Sequence, residues 1–141
     1  GKQKMIQIII VAHGELASQL QKSAEMIAGK QPGLHALDRG LQDSLADMRL
    51  KIDGLVRRAG AEDGVLLLTD MVGGTPCNAS VPACGSVNVE VLAGVNLLMV
   101  LSAVFAGKII SNVSELAAKV LADGQKSIVD VKKMFLSRMK K

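Results

Sequence analysis

His13, Asp70 and the run Gly73-Gly74-Thr75-Pro76 are the residues of this sequence whose types could do chemistry together. A neutral imidazole is a nucleophile only through a ring nitrogen that carries no proton. A carboxylate on the other nitrogen fixes that tautomer and steadies the cation formed when the ring takes up an electrophile such as phosphorus. The logic is that of the histidine and aspartate in a serine-protease triad, with the histidine itself now the nucleophile. The paired glycines let the backbone turn tightly and approach a ligand closely. Thr75 reads as the N-cap of a helix and Pro76 as its first residue, where a missing N–H is no loss. Such a helix start presents free amides and the positive end of its dipole, which suits a phosphoryl group. Gly73, Gly74 and Thr75 are therefore candidates to hold an anion. Gly14 and Asn96 stand in turns expected to border the same place.

Other reactive side chains carry less. His35 has no evident partner and reads as structural or exposed. Cys77 and Cys84 lie seven residues apart on an expected helix, about 10 Å along its axis, too far for a disulfide. Their spacing is not that of a zinc motif either. Both read as small core residues of a reducing compartment.

These residues need a scaffold that brings them together. Apolar, β-branched runs alternate with helical patterns, the signature of a parallel sheet covered on both faces. Strands are expected over residues 6–12, 34–37, 65–69 and 87–92, with a short last one over 127–131. Helices are expected over residues 15–28, from Asp43 or Ser44 through Val56, from Thr75, over 97–106 and over 114–122. The first helix should bury Leu16, Leu20, Ala24 and Ile27, and the second Leu45, Met48, Ile52, Leu55 and Val56. Ser114 with Glu115 is the expected cap of the last helix and Gly124 its stop. Open sheets of this kind bind ligands beyond the carboxyl ends of their strands, where strand order reverses. His13, Asp70 and Asn96 all follow strands. If the first and third strands are neighbours, in an order 2-1-3-4, His13 and Asp70 converge.

The 141 residues fit one α/β domain, a three-layer sandwich with helices on both faces, with a core over about residues 5–133 and a basic C-terminal tail. Lys and Arg number 17 against 13 Asp and Glu, and the surplus sits at the two ends, where it reads as solvated charge. With no Trp or Tyr and two Phe, the chain lacks the stacking platforms of single-strand nucleic-acid binders. Residues 91–105 are nearly all apolar, but fall short of the about 20 residues a membrane span needs and are interrupted by Gly94 and Asn96. Neither G-x-G-x-x-G nor a Walker motif appears.

Three segments resemble one family. Residues 8–14 (IIIVAHG), 66–79 (LLLTDMVGGTPCNA) and 91–97 (VLAGVNL) are similar, in order, to mannose/fructose/sorbose-type IIA domains of the bacterial sugar phosphotransferase system. The resemblance runs from Met5 to about Lys133. It implies that the phosphorylated histidine is His13, its hydrogen-bonding aspartate Asp70, and the hydroxyl residue opening the helix Thr75. It further implies a cytoplasmic carrier that takes a phosphoryl group from the phosphocarrier protein HPr and passes it to a IIB component, with no metal or organic cofactor. Because the sequence stops after one domain, that IIB acceptor is expected to be a separate chain. The resemblance also implies a homodimer that exchanges a C-terminal strand, falling near residues 127–131. Glu15 and Val72 stand where some members carry aromatic residues. The other expectation for the same residues is a regulatory module whose partner binding depends on His13 phosphorylation.

Overall fold

Five consecutive apolar residues, Ile8 through Ala12, are wholly or almost wholly buried, as only a strand covered on both faces allows. They form the middle of β1 (Gln7–His13), which a computed structural model of the chain places at the centre of the fold. The structure describes residues 5–59, 62–86 and 88–139. The elements continue as α1 (Leu16–Ala28), β2 (Leu34–Arg39), α2 (Leu45–Ala59), β3 (Val65–Thr69) and α3 (Thr75–Ser80). A 3-10 turn (Val81–Gly85) follows, then β4 (Val89–Ala93), α4 (Leu97–Ala106), α5 (Val113–Lys126) and α6 (Val131–Met139).

All pairings are parallel and the order is β2-β1-β3-β4, as expected. The alternation of side chains along the strands divides the core in two. Ile8, Ile10, Leu66 and Leu68 pack under α1, α4 and α5. Ile9, Val11, Val65 and Leu67 pack with Met48, Ile52 and Val56 of α2 and Ala79 of α3. Strand order reverses between β1 and β3, so His13 and the residue after β3, Asp70, lie at the crevice where such sheets bind ligands. Among the described residues no helix is long and apolar enough to cross a membrane.

Several expectations are corrected. In α1 the inward stripe is Ala17, Leu20, Ala24 and Ala28, whereas Leu16 and Ile27 are exposed. Alanines permit close approach to the sheet, and the larger apolar residues mislead the reading of the stripe. Leu45 of α2 is likewise exposed. Ser44 caps α2 in a capping box, its Oγ accepting from Asp47 N (3.0 Å) while Asp47 Oδ2 accepts from Ser44 N (2.9 Å). The cap of α5 is Asn112, whose Oδ1 accepts from Glu115 N (2.9 Å), and the helix runs past Gly124. Gly124 is buried against α4, where a Cβ would fall 2.6 Å from Met99 Cγ, so its small size serves packing and does not end the helix. Residues 127–131 form no strand within this chain: Ser127 lies in a turn, residues 128–130 are exposed and pair with no strand, and α6 begins at Val131. Cys77 lies on α3 and Cys84 on the 3-10 turn, both are free, and Cys84 is exposed instead of packed in the core. The expected start of the fourth strand at Val87 and the terminal lysines Lys2, Lys4, Lys140 and Lys141 of the basic ends lie outside the described residues.

Candidate active site

β1 carries His13 to the rim of the sheet, where Gly14 turns the chain at φ +58° into α1. The adjacent end of β3 delivers Asp70. Its Oδ2 accepts from the backbone N of His13 (3.0 Å) and meets the ring Nδ1 at 2.6 Å, while Oδ1 accepts from Met71 N (3.0 Å). The carboxylate therefore grips both the backbone and the ring of His13. Burial alone would raise the Asp70 pKa and is the largest single influence. The backbone and ring hydrogen bonds from His13, its charge and the Met71 amide together outweigh it and hold Asp70 below the usual carboxylate range. An ionised Asp70 requires a proton on Nδ1, which leaves Nε2 as the nitrogen with a free lone pair. The histidine side chain is 42% exposed and Asp70 only 12%, so the imidazole faces solvent and the carboxylate beside it is largely covered.

The Gly73-Gly74 pair meets that ring directly. Gly73 has φ +88°, a conformation that L side chains rarely adopt. A Cβ on Gly74 would lie 2.7 Å from His13 Cε1 and 3.4 Å from Nε2, so glycine is required there by contact with the imidazole. Asn78 closes the loop, its backbone N donating to Gly74 O (2.9 Å) and its side chain to Gly73 O (3.3 Å). The amides of Gly73 and Gly74 donate to no other described residue, and Thr75, in the first turn of α3, has no intrahelical acceptor. The expected cap differs: Gly74 occupies the N-cap position, Thr75 is the first helical residue and Pro76 the second. The Thr75 hydroxyl is half-buried and bonds to no other described residue.

Asn96 is occupied elsewhere. Its Oδ1 accepts from Met99 N (2.9 Å) to cap α4, and its Nδ2 donates to Ser127 Oγ (3.3 Å). The loop it belongs to is nevertheless tied to the site, because Gly94 N donates to Asp70 O (3.1 Å). His35 lies towards the other end of the sheet, hydrogen-bonded to Gln7 Oε1 at 2.7 Å, with its pKa lowered by burial. Two site neighbours went unread in the sequence. Asp38 reaches α1, and Arg39 ends β2 in register with His13. The second strand was expected to stop at Leu37, whereas it runs on to Arg39, so neither residue was placed beside the site. Among the described residues no group of three His, Cys, Asp or Glu side chains could hold a metal ion.

Fold and site thus define a class: a doubly wound parallel α/β domain with a carboxylate-oriented, solvent-facing histidine at its switch point. Residues 7–121 match the family described as the fructose IIA component of the PTS system, and the chain belongs to that family. It is 31% identical over 128 residues to the mannose-specific EIIAB component of Escherichia coli K12, covering 90% of this chain and 40% of that protein's length. The chain thus spans about two-fifths of that relative. It is also similar to a solved phosphotransferase-system EIIA component from Streptococcus agalactiae (34% identity, TM-score 0.82, 92% of this chain and 99% of the other). A mannose/sorbose-specific IIA subunit from Enterococcus faecalis matches at 31% identity and a TM-score of 0.83, over 89% and 94% of the two chains.

Proposed function

We propose that this protein is a phosphohistidine carrier of the sugar phosphotransferase system, accepting a phosphoryl group from HPr on Nε2 of His13 and passing it to a separate IIB component. The observation that carries the reading is the 2.6 Å contact between His13 Nδ1 and Asp70, which in the neutral ring leaves the lone pair on Nε2 of a side chain that is 42% exposed. In the transfer the Nε2 lone pair forms a bond to phosphorus as the N–P bond of the donor phosphohistidine breaks, and the departing imidazole keeps the electron pair. His13 gains positive charge, which the ionised Asp70 stabilises. The Gly73 and Gly74 amides and the Thr75 hydroxyl are free to receive phosphoryl oxygens beside the ring. Gly14 and the Asn96 loop hold the two strand ends in place. The exposed side chains of Met71 and Val72, next to the site, supply an apolar surface for docking partners. The family membership supports a cytoplasmic homodimer that works without metal or organic cofactor.

The test is to mix the protein with phosphoenolpyruvate, the general phosphotransferase enzyme and HPr, using wild type, His13→Ala and Asp70→Asn. Intact mass and peptide mapping under neutral or basic conditions locate the phosphoryl group. Wild type is expected to gain one phosphoryl on His13, His13→Ala none, and Asp70→Asn to remain folded but react slowly. Absence of phosphorylation with the cognate donor would sink the carrier role. Phosphorylation with no onward acceptor would make the modified state itself the output.

A further inference from the structure

Arg39 is the last residue of β2 and pairs across the sheet with His13. Residues in register on parallel strands project to the same face, here the face that α2 and α3 cover. The two strand ends are tied together, because Gly14 N donates to Arg39 O at 2.9 Å. Since β1 lies between β2 and β3, Arg39 flanks His13 on the side opposite Asp70. An imidazole that turns its Nδ1 edge to Asp70 turns its Cδ2–Nε2 edge away from that carboxylate. Adjacent strands are about 4.8 Å apart, a gap that an arginine side chain exceeds in length.

Arg39 has no other described partner. Its Nε is buried without a hydrogen bond, and its guanidinium donates to no other described residue. A buried donor left unpaired is destabilising, and an arriving ligand oxygen is one way to satisfy it. The nearby carboxylate of Asp43 does not claim it. Asp43 is held below its usual range first by its hydrogen bond from Lys51 Nζ (2.8 Å) and then by the Gly40 amide (2.8 Å), with Arg39 acting only through its charge.

We infer that Arg39 is a phosphoryl-binding residue whose guanidinium grips the oxygens of the group carried on His13 Nε2. This rests on the phosphohistidine reading above and adds the cation that reading lacks. A planar fork of donors matches two phosphoryl oxygens at once. As the donor N–P bond breaks and the Nε2–P bond forms, negative charge is spread over the three equatorial oxygens, where a fixed cation stabilises it. Asp70 then answers the positive charge on the ring and Arg39 the negative charge on phosphorus, from opposite sides of one imidazole.

Arg39→Gln and Arg39→Lys test this beside wild type, with matched thermal melts as the folding control. His13 is phosphorylated in two ways, by HPr charged from phosphoenolpyruvate and chemically by phosphoramidate, whose own N–P bond breaks with loss of ammonia. The transfer rate is read with HPr, and the second ionisation of the phosphohistidine is followed by ³¹P NMR on the chemically modified protein. The charged groups that bear on this titration are Asp70 on the ring, Arg39, and, acting on Arg39 from the β2–α2 connection and α2, Asp43 and its partner Lys51. In wild type the Arg39 cation favours the dianion. Arg39→Gln should therefore slow transfer about ten-fold and raise the phosphoryl pKa, ordinarily about 6, by about half a unit or more. Arg39→Lys should keep the pKa near wild type while losing part of the rate, because the charge remains and the fork does not. Superimposable titrations of wild type and Arg39→Gln would overturn the contact, even if the rate with HPr fell. Failure of HPr to phosphorylate a chain that phosphoramidate does modify would remove the carrier role, and the titration would still decide the role of Arg39.

Discussion

Two residues act on the imidazole of His13 from different directions, and their effects can be separated. Asp70 holds the ring by hydrogen bonds, whereas Gly74 holds it by leaving room. Gly74 has φ −84° and ψ 162°, extended backbone that alanine adopts without strain. Gly74→Ala therefore strains no backbone and places a methyl 2.7 Å from His13 Cε1. The ring must swing and the 2.6 Å contact with Asp70 is lost or lengthened. A reacting atom displaced by about 1 Å loses roughly 100-fold in rate, so phosphorylation by HPr should fall about 10- to 100-fold with a nearly unchanged melting temperature. An alanine variant phosphorylated at the wild-type rate would show that ring position is set elsewhere. His13, Asp70 and the glycine pair were legible in the sequence because each is a polar or turn residue interrupting an apolar run. The reason Gly74 must be glycine was not legible, since it depends on a contact between residues 61 positions apart. Thr75 was recognised by type but misplaced by one position, because a glycine N-cap leaves no side-chain signal.

α1 starts directly after the site and has no cap of its own. Glu15, at its N-cap position, makes no side-chain capping bond. Asp38 of β2 supplies the cap from across the sheet, accepting from Ser18 N (3.0 Å) and Ser18 Oγ (2.7 Å). Replacing a capping side chain by alanine costs about 0.5–2 kcal/mol, so Asp38→Ala should lower the urea midpoint by a corresponding amount. Transfer to His13 should continue, because Gly14 remains bonded to Arg39 O. Unchanged stability would mean that α1 is held by its apolar stripe alone. β1 and β3 were legible as apolar runs, and α4 was expected over the residues it occupies, Leu97–Ala106. Pairing distant elements was the harder task, and a cap donated by a residue 20 positions away shows why. α6 had a local signal that the expected strand over residues 127–131 obscured. Asp130 Oδ1 accepts from Lys133 N (2.9 Å), and Val131, Met134 and Phe135 follow at helical spacing.

At the scale of the whole molecule, apolar surface is left without cover. Ile128 is 82% exposed and Phe135 60%, and Val129, Leu136 and Met139 are exposed beside them. On α4, Leu98 and Phe105 also face outward. β4 ends the sheet with one edge unpaired among the described residues. An open strand edge and an apolar extended segment are complementary needs, which a second copy of the chain can meet by laying residues 128–130 along that edge. In such an exchange the segment would form its strand only between two chains. Sedimentation equilibrium should give the mass of two chains, dissociating on dilution. Ile128→Asp combined with Phe135→Asp should give a monomer with an unchanged fold, because neither side chain is buried within one chain. A wild-type mass of one chain at every concentration would remove the dimer. A dimer that survived both substitutions would place the interface away from the C-terminal segment. Since His13 and Asp70 come from the same chain, the monomeric variant should still accept a phosphoryl group from HPr, so assembly and chemistry can be measured independently.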